Sequence, residues 1–330
     1  MRIAVDAMGG DRAPADVIAG VRSFLSEDQK TEILLVGRRS VLEGSCADLP
    51  LQIVDAPGVV GMHESPSTAV KKMTDSSIAV ATMLVKEGKA DALLSMGNSG
   101  ATMAFALFVL GRLPNISRPA IVAPMPTLKG YTLLLDVGVT VDCKPEHLLH
   151  FAVMGSAYSH LAFNVKKPRV GMLSIGEEES KGNELTRKAA QLLKQAPIHF
   201  AGNAEGVDIM EGKFDVIVCD GFVGNVVLKF GEGLVEMFAR ALEMETDHVL
   251  GKDIDAEHRM AFFKETMRRV DYTGYGGATM LGVNGNCLIG HGRSGPRAIA
   301  SGIRAAKIVA EKCPYHEIEK ALKNAHITTH

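Results

Sequence analysis

The chain has 330 residues, of which 46% are hydrophobic, and it contains 34 glycines. This length allows a large buried core, either in one α/β domain or in two lobes. The formal charge of −2 at pH 7 argues against nucleic acid as a main partner.

The cysteine and hydropathy patterns indicate the cellular compartment in which the protein is expected. Five widely spaced cysteines without a CxxC pair are typical of reduced thiols in a cytosolic protein rather than of a disulfide framework or a zinc site. The most apolar run, residues 101–110, is much shorter than the ~18 residues of a membrane span. We therefore predict a cytoplasmic protein whose contact with a membrane, if it has any, is peripheral.

The first predicted strand covers residues 2–7 and ends at Met8-Gly9-Gly10-Asp11. A helix follows and runs to about Leu25, with Pro14 well placed in its first turn. The two adjacent glycines allow the backbone to approach an anion closely, although the GxGxxG fingerprint of dinucleotide binding is missing. Later elements of this third of the chain are strands at 32–36, 51–54 and 90–95 and a helix over 76–86.

The loop Met96-Gly97-Asn98-Ser99-Gly100 precedes an apolar helix over residues 101–110. In the simpler interpretation, Asn98 or Ser99 only caps that helix. We favour a role for Ser99 and the neighbouring glycine amides in holding part of a ligand, because the loop is longer than a cap requires. No GxSxG elbow is present, so Ser99 is a weak candidate for a nucleophile.

The middle of the chain predicts strands at 119–124 and 132–135, a DVGVT loop at 136–140, and a helix over 146–161 that Pro145 opens. His147 and His150 lie on this helix, but the HExxH pattern is missing and helical histidines are usually surface or core residues. The acidic run 177–179 is typical of a solvated loop. We therefore predict no metal site and no cofactor.

Residues 169–230 predict a strand at 169–175, a helix at 183–194 and a strand at 216–219. Ligands of open α/β sheets bind beyond the carboxyl ends of the strands, where Lys181-Gly182-Asn183 and Asp220–Asn225 are expected. A lysine beside a helix N-terminus makes a good phosphate site. The alternative is that the glycines and asparagines only make turns and that Lys181 is a solvated charge.

Residues 226–271 predict a long helical hairpin with a break at Gly251-Lys252-Asp253. Its apolar positions are hard to bury in one monomer, so a homodimer interface is the first interpretation. A membrane-touching tip over residues 244–263 is the second. The chain then returns to the sheet, and His291 opens another ligand-side loop before a helix over 297–312.

Eight stretches in order make the chain similar to the bacterial phosphate acyltransferases, the PlsX family of acyl-carrier-protein–phosphate transacylases. They are AVDAMGGD (4–11), HESPS (63–67), GNSGA (97–101), VDCKPEHL (141–148), IGEEESKGNEL (175–185), CDGFVGNVVLK (219–229), YGGATMLGVNG (275–285) and HGRS (291–294). The DVGVT loop departs from the family's DVGAN-like form, with Thr140 in place of an asparagine.

This resemblance implies one three-layer α/β/α, Rossmann-like domain over residues 1–330 with a mostly parallel sheet. The fold would be similar to those of phosphotransacetylases and isopropylmalate dehydrogenases, with the hairpin protruding. It implies transfer of a fatty acyl group from acyl carrier protein to inorganic phosphate, and a homodimer. The acyl phosphate would serve phospholipid synthesis through the membrane glycerol-3-phosphate acyltransferase at the membrane surface.

Lys181 and Asn225 match the family positions that we expect to be catalytic. We expect backbone amides of residues 9–10, 97–100 and 221–224 to complete one anion cradle with them. The candidate substrate- and phosphate-binding residues are Asp6, Gly9, Gly10, Asn98, Ser99, Gly100, Gly182, Asn183, Asp220, Gly221, Gly224, Gly276, Gly277 and His291. Two alternatives stay open, namely an NAD(P)-dependent dehydrogenase of related fold and a non-catalytic module that binds acyl carrier protein.

Overall fold

The computed structural model describes residues 1–249, 276–312 and 314–325. The strands are β1 (Arg2–Asp6), β2 (Glu32–Gly37), β3 (Gln52–Asp55), β4 (Ala92–Ser95), β5 (Ala120–Thr127), β6 (Gly130–Leu135), β7 (Arg169–Leu173), β8 (His199–Ala204), β9 (Val216–Val218), β10 (Ala278–Leu281) and β11 (Cys287–Ile289). The helices are α1 (Ala15–Glu27), α2 (Arg39–Cys46), α3 (Pro66–Lys72), α4 (Ser77–Lys86), α5 (Ser99–Phe105), α6 (Pro145–Phe163), α7 (Glu184–Gln195), α8 (Gly206–Glu211), α9 (Gly221–Val249), α10 (Pro296–Lys312) and α11 (Pro314–Asn324).

The 11 strands of the described residues form one sheet that is covered by helices on both faces. Successive residues of a strand point to opposite faces, and β1 illustrates this because Ile3 and Val5 join one core cluster whereas Ala4 joins the other. A central strand that is buried on both faces needs a nearly continuous apolar sequence, as in β1 and β4. The predicted three-layer, mostly parallel α/β class is confirmed.

The two parallel halves of the sheet run in opposite directions. The strand order is β3-β2-β1-β4-β11-β10-β5-β6-β9-β7-β8. The first five strands of this order are parallel to one another, and so are the last four. Between them, β10 is antiparallel to both neighbours and β5 is antiparallel to β6. The carboxyl ends of the two halves therefore leave opposite edges of the sheet.

Several elements differ from the prediction. The short helices α2, α3 and α8 were missed because six to eight residues are too few for a clear helical period. The strand β8 was missed because its sequence, HFAGNA, is only partly apolar. The helix expected over 101–110 begins at Ser99 and continues from Ala106 to Leu110 as a π-helix.

The first helix of the predicted hairpin begins earlier than expected. It starts at Gly221 rather than at Val226, because the glycines that were assigned to a turn belong to its first turn. The break at 251–253, the second helix and most of the proposed tip lie outside the described residues. Among the helices that the structure describes, none has the length and apolarity needed to cross a membrane.

Candidate active site

Three connections between strand and helix lie side by side at the carboxyl edge of the second half of the sheet. They follow β6, β9 and β7, which are adjacent and parallel. Because carboxyl ends of parallel neighbours share one edge, residues from these connections can face one ligand. We call Asp136, Lys181, Asp220 and Asn225 the second-edge group.

Asp136 is the buried centre of the turn that follows β6. Its carboxylate accepts hydrogen bonds from the backbone N–H groups of Ile121, Gly138, Val139 and Thr140, at 2.7–3.2 Å. Burial raises the pKa of Asp136, and these hydrogen bonds partly offset that effect. Asp136 therefore holds the 137–140 turn in place. Sequence reasoning gave it no role, although an acid directly after the apolar run of β6 was a usable signal.

The first turn of α9 packs against the turn that Asp136 organises. The Gly221 N–H donates to the Thr140 carbonyl at 2.8 Å. The Val223 N–H donates to Asp220 Oδ1 at 2.9 Å, so Asp220 caps the helix start. The N-terminal end of α9, with its positive dipole end, therefore points toward this edge of the sheet.

Gly224 and Asn225 lie at the closest approach of α9 to β6. A β-carbon at Gly224 would lie 1.9 Å from the backbone oxygen of Asp136, so this position accepts only glycine. A β-carbon at Gly138 would lie 3.8 Å from Asn225 Oδ1, which places the half-buried Asn225 amide beside the same turn. Asn225 is thus held on a rigid element next to the anion-attracting helix start.

Lys181 lies on the connection after β7, where its side chain is 47% exposed and its Nζ is 3.9 Å from Glu178 Oε1. Asn203 Nδ2 donates to the Glu178 carbonyl at 2.8 Å and so braces this loop. The Ser174 hydroxyl oxygen is buried without a hydrogen-bond partner beside Gly182. Asn183 caps α7, because its Oδ1 accepts from the Thr186 N–H at 2.9 Å. Lys181 can therefore meet an anionic ligand, since its ion pair with Glu178 is long.

The first half of the sheet carries a separate set of candidate residues at its own carboxyl edge. We call Asp6, Gly9, Gly10, Ser99 and His291 the first-edge group. The buried Asp6 carboxylate accepts hydrogen bonds from the Met8 N–H at 3.1 Å and from the Ser95 hydroxyl at 2.7 Å. Burial raises the pKa of Asp6. A cavity of ≈ 10 Å³ beside Asp6 and Gly9 has space for about one water molecule.

Three loops of the first edge are joined to one another. Gly9 packs directly on Gly97, and the Asp11 N–H donates to the Gly292 carbonyl at 2.8 Å. The side chains of Ser99 and His291 are exposed on these loops. His291 Nδ1 accepts a hydrogen bond from the Arg293 N–H at 3.3 Å. The first edge thus presents a glycine-lined surface with a hydroxyl and an imidazole.

Asn98 serves as a structural clamp at this edge. Its Oδ1 accepts from the Ala101 N–H at 3.0 Å, which makes it the cap of α5. The two N–H groups of its Nδ2 are shared among the carbonyl oxygens of Gly61, Met62 and Glu64, which lie 2.8–3.2 Å away. These contacts use its amide fully, so a ligand would have to displace one of them. Gly100 packs on Pro66 of α3.

Gly276 and Gly277 are placed by packing at the start of β10. A β-carbon at Gly276 would lie 1.8 Å from the backbone nitrogen of Gly302 in α10. Gly277 lies against the backbone of Ile289 in β11. These contacts explain both glycines structurally, and their predicted role in substrate binding stays a prediction.

His147 and His150 each have a local partner. His147 Nδ1 accepts from the Lys144 N–H at 3.1 Å, at the start of α6. His150 Nδ1 lies 3.1 Å from the Ser117 hydroxyl, and burial lowers the pKa of His150 to about 4. The two histidines therefore serve the packing of α6.

The first-edge and second-edge groups belong to different halves of the sheet. Between β4 and β9 lie β11, β10, β5 and β6, which makes five strand intervals. At ~4.8 Å for each interval, these strands are about 24 Å apart, and the two groups leave opposite edges. The strand order does not fix the distance between the loops of a twisted sheet, so the prediction that glycine amides from 9–10, 97–100 and 221–224 complete one anion cradle stays a prediction.

Sequence comparison decides the family. A family model described as "Fatty acid synthesis protein" matches residues 1–316. The chain is 47% identical over 332 residues to a phosphate acyltransferase of Desulforamulus reducens, with 98% of both chains covered. It is 49% identical over 313 residues to that of Heliobacterium modesticaldum, with 93% of both covered. The chain belongs to the phosphate acyltransferase family. As a member of that family it is a transferase, as the sequence resemblance implied.

Solved structures support the fold of this phosphate acyltransferase family member. A phosphotransacetylase from Streptococcus pyogenes aligns with a TM-score of 0.60 at 18% identity, covering 98% of this chain and 94% of that one. A 4-hydroxythreonine-4-phosphate dehydrogenase from Salmonella typhimurium aligns with a TM-score of 0.55 at 12% identity, covering 94% and 99%. At these identities the likeness shows the fold alone, and the predicted similarity to phosphotransacetylases is confirmed.

Proposed function

We propose that the chain moves a fatty acyl group from acyl carrier protein to inorganic phosphate and so makes acyl phosphate for phospholipid synthesis. The family's name and its description as a fatty acid synthesis protein support acyl transfer to phosphate, and the resemblance of the eight sequence stretches implies the donor and the pathway. The observation that carries the proposal is the placement of Lys181 and Asn225. Lys181 lies on the connection after β7, and Asn225 lies in the first turns of α9, which follows the adjacent parallel strand β9.

The reaction requires no covalent intermediate with the protein. A phosphate oxygen attacks the thioester carbonyl carbon, and a tetrahedral oxyanion forms. The C–S bond then breaks, and the proton carried by the attacking phosphate neutralises the departing thiolate. Phosphate is already an anionic nucleophile at neutral pH, so neither an acyl-enzyme nor a strong protein base is required. No oxidation state changes, so the proposal includes no nicotinamide cofactor.

Two side chains and the N-terminus of one helix stabilise the negative charge of phosphate and of the oxyanion. Lys181 supplies a cation for phosphate or for the oxyanion, and the Asn225 amide donates a hydrogen bond to phosphate or to the carbonyl oxygen. The N-terminal end of α9 adds its positive dipole end. Asp136 acts through backbone amides, because it holds the turn against which Asn225 is placed.

The test combines the purified protein with acyl-loaded acyl carrier protein and phosphate. We expect acyl phosphate and free carrier thiol to appear together. A parallel reaction with the same acyl group on coenzyme A tests the choice of carrier. A change in nicotinamide absorbance would instead indicate a dehydrogenase, and carrier binding without turnover would indicate a binding module.

We also propose a homodimer whose interface includes α9. Large apolar side chains are exposed along this helix at near-helical spacing, namely Phe222, Val226, Phe230, Leu234, Met237 and Phe238. In a monomer this apolar surface is exposed to water and does not stabilise the fold, whereas a second copy could bury it.

Weak association with the membrane surface is a further part of the proposal. The acyl phosphate product is amphipathic and would be consumed by the membrane glycerol-3-phosphate acyltransferase, so a location near lipid shortens its path through water. The proposed anchor, residues 244–263, lies largely outside the described residues, so its apolar sequence alone supports it. Flotation with anionic liposomes, compared with a Val249→Asp/Leu250→Asp variant, tests it. Equal flotation of both proteins would rule out this anchor.

A further inference from the structure

The turn over residues 176–181 holds Lys181 at two points. The Lys181 N–H donates to the Glu178 carbonyl at 3.0 Å, which closes the turn. The aliphatic stem of Lys181 lies over the backbone of Gly176, because a β-carbon at Gly176 would lie 2.9 Å from Lys181 Cγ. The place of the Lys181 side chain therefore depends on where the Glu178 carbonyl is held.

Asn203 on β8 holds that carbonyl from outside the turn. Its Nδ2 donates to the Glu178 carbonyl oxygen at 2.8 Å, and only 9% of the residue is exposed. The same oxygen accepts a hydrogen bond from the Lys181 N–H. A carbonyl oxygen has two lone pairs, so the two hydrogen bonds do not compete. Asn203 is thus joined to Lys181 through one shared acceptor atom.

A bulge in β8 determines the direction of the Asn203 side chain. Val170 of β7 pairs with Phe200. Two residues later, Met172 pairs with Asn203, which is three residues further along β8. Because side chains alternate along a strand, the extra residue places Asn203 on the face that a regular register would give to Gly202. Gly202 has a φ of +101°, a conformation that other residues rarely adopt.

We propose that Asn203, aimed by this bulge, is a positioning residue that holds Lys181 where its ammonium group meets phosphate. This inference rests on the proposed acyl transfer, in which Lys181 supplies the cation. The effect of Asn203 on the reaction passes through the Glu178 carbonyl. Bulges are over-represented next to active sites, where they redirect a side chain, and the bulge in β8 has this relation to the Lys181 turn.

A double-mutant cycle tests the link between the two residues. Asn203→Asp removes the donor at nearly constant shape, because an ionised carboxylate only accepts hydrogen bonds. We expect turnover with acyl-loaded acyl carrier protein and phosphate to fall by ~10²-fold, since a misplacement of about 1 Å can cost that much. In a Lys181→Ala background the same change should not reduce the residual turnover further. A merely structural role would give the same loss in both backgrounds.

Asn286 offers a matched control. Its Nδ2 donates to the Asp91 carbonyl at 2.9 Å, and 4% of the residue is exposed. It directly precedes β11, which belongs to the other half of the sheet. Asn286→Asp also leaves a buried carbonyl without its donor, so it should lower the melting temperature as Asn203→Asp does. Its turnover should stay close to that of the wild type.

Gly202→Ala provides a second test, which decides the matter if Asn203→Asp does not fold. A β-carbon there meets nothing within 4 Å, so the change acts through the backbone of the bulge. Gly88→Ala is its control, since Gly88 has a φ of +67° and equally open surroundings. We expect only Gly202→Ala to lower turnover, and only when Lys181 is present.

The outcomes separate the inference from the proposed function. If the wild-type protein makes no acyl phosphate, the proposed function fails. If the wild type is active but folded Asn203→Asp turns over like Asn286→Asp, the inference is wrong. If Asn203→Asp does not fold, turnover of Gly202→Ala equal to that of Gly88→Ala overturns it. Equal losses with and without Lys181 also overturn it, because Asn203 would then act independently of Lys181.

Discussion

At the residue scale, Lys181 is the most important side chain of the proposed mechanism, because it is the cation of the second-edge group. We expect Lys181→Ala to reduce turnover by ~10²–10³ while the melting temperature stays unchanged, since the side chain is 47% exposed and its ion pair with Glu178 is long. Steady-state kinetics with acyl carrier protein and phosphate measure the effect.

Lys194 offers a matched control for this substitution. Its side chain is 46% exposed, against 47% for Lys181, and it pairs with Glu179. Lys194→Ala should leave turnover within about twofold. Near-normal turnover of the Lys181→Ala protein would remove Lys181 from the mechanism.

His150 gives the molecule a predictable response to acid. Burial lowers its pKa to about 4, against 6.5 in an exposed histidine. The unfolded chain therefore binds a proton before the folded chain does, so stability is complete above pH 6.5 and declines as the pH falls toward 4. Protonation at this site alone should cost about 2 kcal/mol at pH 5.

The measurement compares denaturant unfolding at pH 7 and pH 5. We expect His150→Gln, which keeps a group able to bond the Ser117 hydroxyl, to lose less stability between these pH values than the wild type. His63→Gln, at an exposed position, should respond like the wild type. Identical acid responses of all three proteins would contradict the assignment.

At the scale of elements, the contact between α9 and β6 is the tightest near the site. Gly224→Ala would place a β-carbon 1.9 Å from a backbone oxygen, and backbone cannot yield as a flexible side chain can. We expect a loss of at least about 2 kcal/mol in the free energy of unfolding. Turnover should fall as well, because Asn225 is the next residue.

Gly44 in α2 is the control, away from α9. A β-carbon there meets nothing within 4 Å, and the position is exposed. Gly44→Ala should raise the free energy of unfolding by up to about 1 kcal/mol through its better helix propensity. Equal effects of the two substitutions in chemical denaturation would show that the close approach at Gly224 is not real.

Sequence patterns predicted the strands and helices around the site, but they did not predict the hydrogen bonds that hold its loops in place. The apolar runs of β7 and β9 and the helical period of α7 placed the loops of Lys181 and Asn225 on adjacent connections. Asp136 was missed because four amides from sequence-distant and local positions meet its carboxylate only in the folded chain. The hydrogen bonds from Asn98 to the 61–64 loop were missed for the same reason, because that loop is distant in sequence.

At the scale of the whole molecule, α9 should hold two copies together. Phe230 is 70% exposed, and a charge in its place would be buried without a partner in the dimer. We expect Phe230→Asp to give a monomer at low micromolar concentration in light scattering. Phe108→Asp is the control, since Phe108 is 74% exposed in the first half of the chain, and it should stay dimeric. A monomeric wild type would refute the dimer.

The direction of the two half-sheets was beyond sequence reasoning. Periodicity identifies a strand but not the sense in which it joins its neighbours. The two antiparallel pairings of β10 cancel each other, so the reversal depends on the antiparallel pairing of β5 with β6. For this reason the glycine loops of residues 9–10 and 97–100 were expected beside Asn225, although they leave the opposite edge.

Stoichiometry tests the account's central claim most directly. Acyl-loaded acyl carrier protein and phosphate are incubated with the protein, and acyl phosphate, carrier thiol and consumed phosphate are quantified together. The account predicts a ratio of about 1:1:1 and no thiol release when phosphate is omitted. Thiol release without phosphate, or without matching acyl phosphate, would contradict direct attack of phosphate on the thioester.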